Sequence, residues 1–526
     1  MSELAVGFIL VLGGILLTPL AERMRVPAPV LTTIFGLMLG LVPSLPDLSI
    51  PPEAMLPLLL PPLLYAAARR SSWREFAANV KPILVMAVAL VFVTAAVVSL
   101  VAASVHPALP IGGAIILGAI VSPPDAAAVT TIAGRLGLPR RLVTVLEGEG
   151  LFNDVTALTL YQVAVAGVVA GSFSPWRAMG EFVYSGAAAV LIGLLVGLFA
   201  KVLFDQLSDS RLTTALSLLV PYLAYIPADE AGASGVLAVL TAAFFLGGIS
   251  GDPDDIEGRL VAGSFWDVTE LMVTAITFGL IGLELVNVWH SVGPAAGRLI
   301  WTAVLIGGVV IAVRALWMMA AYFFSRSGRL WSGRALGWQG ALVIAWSGMR
   351  GVVTIVTALA LPFTTDSGEP LPGRDQILFV AMIVVVLTLL LQGLTLPWLI
   401  ARIGLRVDAE REAAATRKVH EVAREAAFQR LDELLGEDGL PTDAAERMRA
   451  RYELMFTDTE DLPEPGQRNE RERMLAFRDK LRETEREMMS AARAALLAAR
   501  TRPGYDPAII DQVMSTLDVR SAGLGG

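Results

Sequence analysis

The chain has 526 residues, of which 55% are hydrophobic and 17% are charged, with a net charge of −8. Because soluble domains usually carry about a quarter charged residues, this composition and the mean hydropathy of +0.63 predict a membrane domain followed by a more polar tail. The lack of cysteine excludes disulfides and thiolate metal sites, and three scattered histidines argue against a zinc site, so no cofactor is expected. The acidic balance argues mildly against nucleic acid as a partner.

Apolar stretches of the length needed to cross a bilayer, about 20 residues each, predict about thirteen transmembrane helices. The first stretch lacks a basic leader and further spans follow it, so we interpret it as a retained helix and not as a signal peptide. The predicted spans are 4–20, 28–44, 54–70, 82–104, 108–133, 143–171, 179–204, 213–228, 234–250, 265–288, 297–324, 337–362 and 376–402.

The basic residues of the connecting loops alternate along the chain. Most lie in the odd-numbered connections, and the even connections hold only Arg177, Arg298 and Arg374. The positive-inside rule therefore places the odd loops and the tail in the cytoplasm and the N-terminus outside. The predicted organisation is a transmembrane domain, 1–404, followed by a helical cytoplasmic tail, 405–526, in which mixed charges and a Pro-containing linker favour a structural role.

The fifth span contains Ser122, Pro123, Pro124 and Asp125 in its middle. Two consecutive prolines remove two backbone donors and disfavour helix before them, so this span is predicted to unwind at membrane depth. Irregular backbone at that depth must be buried in protein or line a watery cavity. The freed carbonyl of Pro124 and the carboxylate of Asp125 would be oxygen ligands for a cation. The alternative is a simple proline kink with a paired aspartate.

The sixth span carries three acidic residues and an asparagine at helical spacing. Glu147 and Asp154 are seven residues apart and share one face, with Glu147 nearer the cytoplasm as an access point for the ion, while Glu149 and Asn153 share another face. Asp154 and Asp125 lie at mid-depth on neighbouring helices and are predicted to meet. Burial favours the protonated carboxyl group, so such a site binds either a proton or a cation, and this competition is the chemistry of antiport.

The twelfth span carries Arg350, which has Gly348 two residues before it and Gly351 directly after it. A buried guanidinium needs a carboxylate partner, for which Glu149 is the first choice and Glu147 the second. The arginine would either pin two helices together or take part in transport. Interrupted helices at matching places in two halves of a chain, here spans five and twelve, are typical of a transporter built from inverted repeats.

Taken in order, these segments resemble bacterial sodium/proton antiporters of the NhaP type, which are related to animal sodium/hydrogen exchangers. The resemblance covers the membrane region and rests on Leu60-Pro61-Pro62-Leu63-Leu64, Ser122-Pro123-Pro124-Asp125, Glu149-Gly150-Leu151-Phe152-Asn153-Asp154, Ser234-Gly235-Val236-Leu237-Ala238, Phe278-Gly279-Leu280-Ile281-Gly282-Leu283 and Gly348-Met349-Arg350-Gly351.

The resemblance implies thirteen helices in two inverted repeats, with discontinuous helices 5 and 12, in a homodimer of a bacterial inner membrane. It implies electroneutral exchange of Na+ (or Li+) for H+ by an elevator-like movement. Asp154 and Asp125 would handle the ion and the proton, Glu149 would be a Na+ ligand or an ion-pair partner, Asn153 would orient the site, and Arg350 would stabilise the core.

Two positions depart from the family pattern. Gly150 replaces a serine and Pro124 replaces a threonine, so two hydroxyl groups are missing near the ion. The ion's coordination is therefore open, and exchange of K+ or of monovalent cations in general is the alternative within transport.

Two other classes of protein are weaker interpretations. An intramembrane serine protease would pair Ser234 with a histidine at the same depth, but His106 and His290 are predicted at outer helix ends. A channel is disfavoured because no ring of repeated charges is visible. Three charged residues within spans have no assigned role: Arg314, Glu270 and Glu284.

Overall fold

A computed structural model describes residues 3–24, 26–42, 51–70, 76–77, 79–125, 138–170, 175–207, 209–248, 256–325 and 337–404. All of them belong to one compact unit, Met1–Val407. The tail predicted at 405–526, and the part of span five that follows Asp125, lie outside the described residues, so the division into 1–404 and 405–526 stays a prediction.

The regular elements of the described residues are all helices, which confirms the predicted all-α class. No strand occurs in these ranges, and the only pairing of extended backbone there is the isolated bridge between Thr364 and Pro370. The helices are α1 Glu3–Met24, α2 Ala28–Gly40, α3 Pro52–Arg70, α4 Val80–Val105, α5 Ile111–Val121, α6 Arg140–Val169, α7 Pro175–Gln206, α8 Ser210–Glu230, α9 Gly235–Gly248, α10 Ile256–Val292, α11 Ala296–Ser325, α12 Trp338–Trp346, α13 Val352–Leu359 and α14 Arg374–Ile403.

Length and composition allow seven stretches of the described chain to cross a membrane, and α2, α5 and α9 are shorter apolar helices. Large apolar side chains are left exposed along the long helices, for example Leu195 and Phe199 of α7. A lipid environment accounts for such a surface, because it offers apolar contacts that water does not. The count of thirteen spans and the inverted repeats remain predictions.

Helices α2 and α10 approach each other closely because glycines line their contact. A Cβ atom added to Gly36 would overlap the carbonyl group of Gly279, and one added to Gly282 would overlap the carbonyl oxygen of Thr33. In membranes, where apolar burial drives little association, such small residues allow van der Waals packing of backbone on backbone. This contact joins α2 firmly to α10.

The helical backbone breaks at both places where the sequence predicted it. Helix α5 ends at Val121, and the prolines and Asp125 that follow have no helical hydrogen bonding. The second interruption separates α12 from α13 at 347–351. The two interruptions touch, because the backbone N–H of Asp125 donates to the carbonyl oxygen of Met349 at 2.7 Å. Backbone groups that lack helical hydrogen bonds thus meet at one point inside the helical bundle.

Candidate ion-binding site

Asp125 lies where the two interruptions meet. Its carboxylate Oδ2 accepts a hydrogen bond of 3.2 Å from the backbone N–H of Val352, the first residue of α13. The amino end of a helix carries partial positive charge and free N–H groups, so it stabilises an anion there. The close approach requires Gly351, because a Cβ atom at that position would overlap the carboxylate.

Arg350 binds carbonyl groups at the carboxyl ends of α5 and α12. Its guanidinium donates to the carbonyl oxygens of Val121 at 2.8 Å and Ser122 at 3.1 Å, which end α5, and to that of Gly348, which follows α12. Its backbone N–H donates to Thr388 Oγ1 at 3.1 Å. The last carbonyls of a helix carry partial negative charge and lack partners within the helix, so one buried cation stabilises two helix ends.

The prediction that Arg350 pairs with Glu149 is wrong. The partner of Glu149 is Arg314 of α11, which binds both carboxylate oxygens, with 2.8 Å between Nη2 and Oε2. Arg314 also donates from Nε to the carbonyl oxygen of Ile344 at 2.9 Å. Both charged side chains are buried, and the forked geometry satisfies guanidinium and carboxylate together. Arg350 is occupied instead by the helix-end carbonyls.

Asn153 joins α6 to the interruption of α5. It is fully buried, and its Nδ2 donates to the carbonyl oxygen of Pro124 at 2.6 Å. The carbonyl predicted as a cation ligand therefore already accepts one hydrogen bond. A carbonyl oxygen has two lone pairs, so a second partner is still allowed.

Asp154 is the remaining buried carboxylate of α6. It is 8% exposed, and its charge interacts with that of Asp125. No hydrogen bond to its carboxylate is found within the described residues. The three carboxylates predicted as Na+ ligands do not form one cluster there, because Glu149 is held by Arg314. Glu147, the predicted access point, is half-buried in α6.

Three buried side chains keep polar atoms without a hydrogen-bond partner in the part of the chain that the structure describes. They are Oδ1 of Asn153, Oγ1 of Thr354 in α13, and the amide of Gln392, which lies in a π-helical turn of α14, Leu389–Gly393. Buried polar atoms are nearly always paired in proteins, so each of these marks a place where a further ligand or water fits.

Residue spacing could not have selected Arg314 over Arg350, because both are arginines in apolar spans. The structure shows that Gly348 makes room for Arg314, because a Cβ atom there would overlap the stem of that side chain, but a glycine alone does not indicate this in the sequence. Thr354 was missed because the hydroxyl of a threonine inside an apolar helix usually donates to a backbone carbonyl of the same helix. Glu284, which had no assignment, interacts electrostatically with Arg374 at the start of α14.

The serine-protease alternative has no support in the geometry. The hydroxyl of Ser234 accepts a hydrogen bond from the backbone N–H of Leu237, at the start of α9. His106 is instead paired with Gln376, at 3.0 Å between Nε2 and Oε1, and His290 is exposed. Neither of these two histidines is hydrogen-bonded to the serine, so neither serves as the base that a serine nucleophile needs.

Carboxylates buried or partly buried beside breaks in apolar helices are typical of a class of protein, the ion-coupled membrane transporter. Comparison with known proteins assigns the family. The model of the family described as "Sodium/hydrogen exchanger, transmembrane" matches residues 7–402, and the chain belongs to this family. The resemblance to NhaP-type antiporters is thereby confirmed, and the protein is a cation/proton antiporter of the membrane, a transporter and not an enzyme.

Individual relatives agree with this assignment. An uncharacterised Na+/H+ exchanger of Mycobacterium tuberculosis is 35% identical over 447 residues, covering 83% of this chain and 81% of the relative. A sodium, potassium, lithium and rubidium/H+ antiporter of Bacillus subtilis is 28% identical over 394 residues, covering 71% of this chain and 57% of the relative. The sodium proton antiporter MjNhaP1 of Methanocaldococcus jannaschii shares the fold, with a TM-score of 0.57 at 19% identity over 76% of this chain and 99% of that one.

Proposed function

We propose that the protein exchanges Na+ (or Li+) for H+, and that both compete for the carboxylates of Asp154 and Asp125. The observation that carries this proposal is the position of Asp125 between the end of α5 and the break that separates α12 from α13, with Asp154 buried near enough for the two charges to interact. A buried carboxylate without a donor must be neutralised by a proton or a cation, and either ligand excludes the other.

The surrounding charges favour one-for-one, electroneutral exchange. Glu149 is balanced by Arg314, and Asn153 is neutral. Asp125 accepts the N–H at the start of α13, which stabilises its anionic form. Asp154 has no such donor among the described residues, so its charge is the one that a proton or a cation balances in turn. One exchangeable carboxylate supports one cation per proton.

The remaining roles follow from this site. Glu149 is a positioning residue that fixes α6 against α11, and Glu147 lies on the cytoplasmic approach to the carboxylates. Asn153 holds the carbonyl of Pro124 beside the cation. The protein works by alternating access as a homodimer in the bacterial inner membrane, with its N-terminus outside and its tail in the cytoplasm. The family assignment and the exposed apolar helix surfaces support this part of the proposal.

The second candidate is exchange of K+ as well as Na+. Gly150 and Pro124 provide no hydroxyl groups at positions where the family pattern has them, which loosens the requirements on ion size. The similar protein of Bacillus subtilis is described as an antiporter of sodium, potassium, lithium and rubidium.

Purified protein in proteoliposomes tests both candidates. The collapse of an imposed proton gradient is followed after addition of Na+, Li+ or K+, for wild type and Asp154→Asn. We expect Na+ and Li+ to collapse the gradient in wild type and no cation to do so in the variant. Equal activity with K+ would establish the second candidate. A folded wild-type protein that responds to none of the cations would refute antiport of these ions.

A further inference from the structure

The first turn of α13 carries a buried hydroxyl group that has no partner among the described residues. Thr354 is 1% exposed, and its Oγ1 neither donates nor accepts a hydrogen bond there. Leaving a buried hydroxyl unpaired costs stability, so a native structure that keeps one requires a reason.

The helix interruption explains why this hydroxyl is unpaired. A threonine in a helix normally donates to the carbonyl four residues earlier, as Thr156, Thr159, Thr357 and Thr388 all do in this chain. For Thr354 that position is Arg350, which lies in the interruption between α12 and α13. The carbonyl of Arg350 is therefore outside the helix and does not accept from Thr354, so the hydroxyl lacks its usual partner and can bind another ligand.

The hydroxyl lies at the end of α13 that faces the acidic site. Side chains of a helix lean toward its amino end. At this end the N–H of Val352, two residues before Thr354, donates to Asp125 at 3.2 Å. Thr354 therefore lies in the first turn of α13, at the amino end where Asp125 is bound, and its side chain leans toward that end.

A second unpaired oxygen belongs to a residue that binds the backbone next to Asp125. Asn153 directs its Nδ2 to the carbonyl of Pro124, the residue before Asp125, and its Oδ1 has no partner among the described residues. It precedes Asp154 in the sequence. Two neutral oxygens, on α6 and α13, are thus held at elements that contact the residues around Asp125, and both are buried.

We propose that Thr354 Oγ1, together with Asn153 Oδ1, is a ligand of the transported cation alongside Asp125 and Asp154. This inference rests on the proposed function and adds α13 to the ion site. Alkali cations bind oxygen ligands, and neutral oxygens complete the coordination without adding charge. The two oxygens take the place of the hydroxyl groups that Gly150 and Pro124 do not supply.

The test compares three variants in the proteoliposome assay. Thr354→Val has nearly the same shape but no hydroxyl, Thr354→Ser keeps the hydroxyl, and Thr357→Val removes a nearby hydroxyl that is already bonded to the carbonyl of Val353. We expect Thr354→Val to raise the apparent KM for Na+ about tenfold with little change in maximal rate, since one neutral ligand is lost. The other two variants are expected to keep the wild-type KM within about twofold.

Thermal unfolding separates a ligand from a structural group. If the hydroxyl only fills space, Thr354→Val removes an unpaired polar group, so the midpoint of unfolding should be unchanged or higher and the KM unchanged. That result would overturn the inference while wild-type exchange still upheld the proposed function. If Thr354→Val does not fold, Thr354→Ala is compared with Thr354→Ser by the same KM criterion. Absence of exchange in the wild type would instead overturn the proposed function itself.

Discussion

Arg314 of α11 donates hydrogen bonds to both carboxylate oxygens of Glu149 on α6, and both side chains are buried. The third donor of the same guanidinium group binds the carbonyl of Ile344 near the end of α12. One residue therefore fixes three helices around the proposed ion site. Glu149 is neutralised by this contact, which leaves Asp125 and Asp154 as the acidic pair available to the ion.

Breaking this ion pair should destabilise the protein. Glu149→Gln leaves a buried guanidinium without its counter-charge, and the expected loss is about 3–5 kcal/mol. The second variant, Arg314→Met, should lose a similar free energy of unfolding, because it leaves the buried carboxylate of Glu149 without its counter-charge. The double variant should be more stable than the sum of the two losses predicts, because it leaves no charge uncompensated. Thermal unfolding in detergent provides the measurement.

Glu147→Gln is the matched control for the ion pair. Glu147 lies two residues earlier on α6 and is only half-buried, so its substitution should cost much less than Glu149→Gln. Strictly additive losses for Glu149→Gln and Arg314→Met would show that the two side chains do not act as a pair.

Arg350 should behave differently from Arg314. It donates to the carbonyls of Val121, Ser122 and Gly348, and a lysine ammonium cannot present the same planar fork. We expect Arg350→Lys to lower both the midpoint of unfolding and the maximal transport rate. In a double-variant cycle with Glu149→Gln, the coupling energy should be smaller than that of Arg314 with Glu149. The reverse order would restore Arg350 as the main partner of Glu149.

Gly351 should tolerate no side chain. A methyl group there would overlap the carboxylate of Asp125, so Gly351→Ala is expected to displace this carboxylate and abolish exchange. The control is Gly308→Ala in α11, where an added Cβ atom meets nothing within 4 Å. Alanine favours helix over glycine by about 1 kcal/mol, so the control should be as active as wild type and no less stable. Normal transport by Gly351→Ala would contradict the placement of Asp125.

The sequence predicted the helical class and the interruptions because these depend on local chemistry. Hydropathy identifies apolar helices, and the paired prolines at Pro123 and Pro124 must end α5. The spacing of Glu149, Asn153 and Asp154 on α6 likewise follows from helical geometry, and all three are buried as the prediction requires.

Contacts between helices that are distant in the chain could not be predicted from the sequence. Arg314 and Glu149 are separated by 165 positions, and no periodicity indicates which of two buried arginines lies opposite a given carboxylate. The hydroxyl of Thr354 is unpaired because Arg350, four residues earlier, lies outside the helix, and this is known only once the limits of α12 and α13 are known.

The pH dependence of the apparent KM for Na+ tests the central claim most directly, namely that a proton and a cation compete at Asp154 and Asp125. Initial rates of Na+-driven proton movement are measured in proteoliposomes at a series of pH values. Competition predicts that the apparent KM rises as pH falls, approaching about tenfold per pH unit once the site is mostly protonated, while the maximal rate changes little. A KM that stays constant over the same range would contradict a shared site.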